Sequence, residues 1–89
     1  MKKKEETDIS FVTELMDAVI QDTGVPRNIR KVVEDAKNKI EKTEELGVQI
    51  SSAIYMLDDI SNDINMPQHT RTEIWTLISE LENLKEKIK

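Results

Sequence analysis

From residue 9 onward, apolar side chains recur every three or four positions in four separate stretches, the spacing that lays them along one face of an α-helix. The first helix is expected over about Asp8 to Asp22, with Ile9, Val12, Leu15, Met16, Val19 and Ile20 on its stripe and Thr7 or Asp8 capping its start. Phe11 falls off the centre of that stripe, so it either rims the core or is partly exposed. The second helix runs from Pro26 to about Glu41 with Ile29, Val32, Val33, Ala36 and Ile40, and the third from about Val48 to Asn62 with Ile50, Ala53, Ile54, Leu57 and Ile60. The fourth, Pro67 to about Lys87, has Ile74, Leu77, Ile78, Leu81, Leu84 and Ile88 on one side. Four such stretches, with 35 % charged and 37 % hydrophobic residues and only two Gly and two Pro, make the class all-α.

The second pair of helices repeats the first. Shifted by 41 positions, residues 9–41 lie over 50–82, and seven of the 33 pairs are identical: Ile9/Ile50, Ser10/Ser51, Asp17/Asp58, Asp22/Asp63, Pro26/Pro67, Arg30/Arg71 and Glu41/Glu82. Others stay apolar without identity, among them Val19/Ile60, Val25/Met66, Val33/Ile74, Ala36/Leu77 and Ile40/Leu81. Self-similarity at a fixed period marks a repeat architecture. The chain therefore reads as a tail (1–7) and one helical domain (8–89) made of repeat 1 (9–41), a connector (42–47) and repeat 2 (48–88).

Each repeat turns at one punctuated loop. In Asp22-Thr23-Gly24-Val25-Pro26, Gly24 is suited to a left-handed C-cap and Pro26 to the first helical position; Asn65 and Pro67 stand in those places in the second copy. Short turns between amphipathic helices make antiparallel hairpins. Asp22 and Arg30, like Asp63 and Arg71, are spaced to form a charge-assisted pair that holds the angle of the turn. This turn-plus-helix pattern of Asp, Pro and Arg, followed by an apolar stripe, resembles the HEAT-type helical hairpin repeat, which implies a four-helix array of two stacked hairpins. Length and pattern together also resemble a small uncharacterised protein family found in archaea; that resemblance implies a fold and no chemistry.

Composition narrows the partners. With 13 Lys and Arg against 18 Asp and Glu the net charge is −5, which disfavours roles dominated by nucleic-acid phosphates or anionic membranes. The zero count of Cys removes disulfides and thiolate metal sites and fits the cytoplasm. The lysines at 2–4 precede no uninterrupted apolar run, so neither a leader nor a spanning segment is expected. At 89 residues the core is small, and two stacked hairpins would leave both outer faces open where about three repeats are usual.

Candidate chemistry is sparse. Asp58, Asp59 and Asp63 with Asn62, Asn65 and His69 form the one constellation rich in hard-cation donors, but their spacing matches no calcium loop. His69, the only His, has no nucleophile or second His beside it, so no catalytic arrangement and no cofactor is expected. Arg27, Arg30, Lys31, Lys37 and Lys39 bias helix 2 towards positive charge and admit an RNA- or ribosome-associated role, though without interleaved aromatics. Trp75 matches Glu34 and Tyr55 matches Glu14, so both positions lie off the shared core. Trp75 either anchors an interface or covers an open end of the core, and with Tyr55, Leu84 and Ile88 it would form an apolar patch. A non-enzymatic protein-interaction or scaffold module, partnering another protein or itself, is the reading these features favour.

Overall fold

The computed structural model describes residues 8–42 and 45–88. Among them are four α-helices and no strand: α1 Asp8–Ile20, α2 Arg27–Ile40, α3 Leu46–Ile60 and α4 Gln68–Lys87. The tail at 1–7, with the Thr7 cap, and residues 43–44 of the connector lie outside the described residues. The helix α3 starts two residues before the expected Val48. Glu45 takes a left-handed backbone with φ 54°, and Leu46 then enters the first turn packed against the core.

The two hairpins, α1–α2 and α3–α4, close into a ring. The helix α1 packs on α2 and α4, and α3 packs on α2 and α4, while α1 and α3 sit diagonally across the core, as do α2 and α4. In a HEAT-type stack the first helices of neighbouring hairpins would lie together, so the expected stacking is not what the chain adopts. The reason is burial. Two stacked hairpins leave a face uncovered at each end, whereas the ring covers every apolar stripe with two neighbours. The result is a bundle of 40 × 20 × 19 Å.

This ring order, with α1 opposite α3 and α2 opposite α4, is the one a half-turn about the bundle axis would relate, and corresponding positions of the two stretches share the core. Val12/Ala53, Met16/Leu57, Val25/Met66, Val33/Ile74, Ala36/Leu77 and Ile40/Leu81 are all buried. The end of α4 outruns this correspondence. There Leu84 is only 3 % exposed and extends the core, so its expected place in an exposed patch is corrected.

Candidate interaction face

Both turns are built by the same hydrogen bonds. The Asp22 carboxylate accepts from the Gly24 N–H and the Asp63 carboxylate from the Asn65 N–H, each at 2.8 Å. The backbone then closes with Val25 N–H donating to the Asp22 carbonyl and Met66 N–H to the Asp63 carbonyl. Among the described residues Glu45 alone outside glycine has positive φ, and neither Gly24 nor Asn65 is left-handed. The side chain of Asp, not a left-handed residue, therefore turns the chain.

The arginines do not pair with these carboxylates. Arg30 donates its Nε–H to the Val25 carbonyl at 3.0 Å, and Arg71 spans the turn to donate to the carbonyls of Ser61 and Asp63. The carboxylates instead reach across to the opposite turn. Asn28 Nδ2 donates to Asp63 Oδ2 at 3.0 Å, and its copy-mate His69 holds Asp22 Oδ2 at 3.1 Å from Nε2. Since a carboxylate only accepts, His69 Nε2 carries the proton. These reciprocal contacts are the ones such a half-turn would relate. They also lower both carboxyl pKa values, Asp22 chiefly through the Gly24 N–H and then His69, Asp63 chiefly through the Asn65 N–H and then Asn28.

With these groups committed, the donor constellation around Asp63 does not assemble. His69 turns to the other hairpin, and among the described residues no group of three or more His, Cys, Asp or Glu side chains could hold a metal ion. A shallow groove of about 150 Å³ runs between α1 and α4, lined by Phe11, Val12, Glu80, Asn83, Leu84 and Lys87. That is below the range of about 300–1,000 Å³ usual for small-molecule sites. The basic side chains of α2 are dispersed as well. Arg30 holds its carbonyl, Lys31 pairs with Asp35 at 3.1 Å on the same helix, and Lys37 crosses to Asp17 on α1 at 2.6 Å.

What the bundle leaves exposed is apolar, and it is unevenly placed. Phe11 is the one large apolar side chain exposed in the described part of the first hairpin, as the periodicity allows; Val48, Tyr55, Ile64, Trp75 and Ile88 are exposed in the second. Trp75 is 56 % and Tyr55 73 % exposed, so neither is a core residue. The register of α3 on α4 is set at two points: a Cβ on Gly47 would stand 4.0 Å from Ile88 Cδ1, and Arg71 reaches the Ser61 carbonyl. Between them Tyr55 is level with half-buried Ile78 and Trp75 with exposed Asp58; Tyr55 lies on the outer side of α3, opposite the buried Ile50, Ala53 and Leu57, while Trp75 and Asp58 lie on the outer side of the α3/α4 seam. Val48 lies two turns from Tyr55 on the outer side of α3. Val48 and Ile64 were not singled out by periodicity. The copy comparison contained their signal, because their counterparts are Thr7 and Thr23.

Comparison with other proteins places this bundle. Residues 1–84 match the model of the uncharacterised protein family UPF0147. A UPF0147 protein of Methanocaldococcus jannaschii is 49 % identical over 85 residues, covering 94 % of this chain and 91 % of its own length. One from Archaeoglobus fulgidus is 42 % identical over 84 residues, covering 94 % and 97 %. The crystal structure of a protein from this family from Thermoplasma acidophilum superposes with a TM-score of 0.84 at 40 % identity, over 90 % of this chain and 95 % of that one.

Proposed function

The chain belongs to the UPF0147 family, and from that premise we propose that it is a non-enzymatic protein–protein interaction module acting in the cytoplasm, with the α3/α4 seam as its docking surface. One observation carries this reading. Trp75 and Tyr55 stand exposed where the first copy places Glu34 and Glu14, although both copies build the same core. Large aromatics held on a rigid helix edge suit an anchor, since they bury much area at little rotamer cost. We read the repeat as a duplicated hairpin closed on itself rather than as an open HEAT-type array, so the seam and not a concave stack surface is the place for a partner. No described helix is long and apolar enough to cross a membrane. The RNA-associated reading draws no support from α2, whose Arg30, Lys31 and Lys37 are engaged within the chain.

The test is affinity capture from native-cell extract with the wild-type chain and Trp75→Glu, the residue of the first copy. The variant is expected to melt at the same temperature by circular dichroism and to lose its captured proteins. Equal capture by both overturns the proposal.

A further inference from the structure

In the first hairpin the seam is closed by an ion pair: Lys37 Nζ on α2 lies 2.6 Å from Asp17 Oδ1 on α1. The repeat aligns Asp17 with Asp58 and Lys37 with Ile78. The anion is kept and its cation is replaced by an apolar side chain. Asp58 is exposed and forms no ion pair among the described residues. It lies level with Trp75.

Resting on the reading of the seam as a docking surface, we infer that the partner supplies the missing cation, an arginine or lysine of a basic protein segment that stacks on Trp75 and pairs with Asp58. Two further features support a basic occupant. Residues 45–88 carry eight acidic against three Lys or Arg side chains, a net −5, whereas residues 8–42 carry seven against six, a net −1. Glu82 stands two turns along α4 from Trp75 and adds to the field there. Aromatic faces attract cations, arginine above all because its planar guanidinium stacks and still donates to a carboxylate. A second copy would bring a like-charged hairpin against this one, and RNA would bring phosphates, so both are disfavoured by the same field.

Trp75 is the only Trp, so its fluorescence reports the seam directly. The full chain is titrated with a short peptide of alternating Arg and Ser, and with its Glu-for-Arg twin. The Arg peptide is expected to shift Trp75 emission saturably, and the Glu peptide to leave it unchanged. Ile78→Lys, which recreates the Asp17–Lys37 pair in the second hairpin, and the exposed Asp58→Asn should each weaken binding by about ten-fold or more, the worth of one charge-assisted contact. If Ile78→Lys does not fold, Asp58→Asn decides alone. Unchanged affinity in the folded variants overturns the inference. So does a stronger response to tRNA than to the Arg peptide, or an emission change that follows dimer formation in light scattering. In the capture experiment, loss of partners by Trp75→Glu but not by Asp58→Asn leaves the docking surface standing and removes the cation. Retention by both removes the surface itself.

Discussion

The two hairpins have one core and two different outer seams. On the first, Glu14, Glu34 and the Asp17–Lys37 pair make a charged surface; on the second, the same positions hold Tyr55, Trp75, Asp58 and Ile78. The difference separates what the fold needs from what it merely carries. Positions that both copies bury are constrained by packing, and positions where only the second copy is apolar are not.

The strongest way to break the comparison is at the core. Met16 and Leu57 are equivalent and fully buried, so Met16→Ala and Leu57→Ala should each lower the unfolding free energy by about 2–5 kcal/mol in urea titrations. A loss confined to one hairpin would show that the copies are not energetically alike. Next come the turn arginines. Arg71 serves two carbonyls and Arg30 one, so Arg71→Ala should destabilise more than Arg30→Ala, by about 1 kcal/mol of difference.

The smallest effect concerns the two turn aspartates, which should behave alike. Both carboxyl groups are held below their ordinary pKa, so the stability they contribute is present above the usual carboxylate value of about 3.9 and is lost as the pH falls through their lower native values. Thermal melts between neutral and strongly acid pH should therefore fall less steeply for Asp22→Asn and for Asp63→Asn than for the wild type, and by similar amounts. A steep acid decline untouched by either substitution would detach the turns from that dependence.

Much of this was legible in the residues, for identifiable reasons. Helical periodicity reports which face of a helix is buried, so all four helices and nearly every core position followed from it. Periodicity is silent on which neighbour covers that face, and the ring, with α1 sealed on α4, was therefore not legible. The Asp–Arg spacing was real and its partners were not. The backbone N–H of Gly24 or Asn65 lies two residues from each carboxylate and captures it first, leaving the arginines to the carbonyls. Leu84 lay past the end of the repeat, where the copies offer no comparison, and it proved to be core. The exposed aromatics were visible because a Glu in one copy marks a solvent-facing position in the other.

The order of the ring has an evolutionary consequence. Unlinked, two identical hairpins related by a half-turn would be a symmetric dimer, in which every substitution appears on both sides at once. A Trp placed at one seam would then stand at both. The connector between α2 and α3 makes the two halves a single chain, and each can change without the other. The first hairpin can keep its ion pair while the second gives up a cation for Ile78 and a glutamate's place for Trp75.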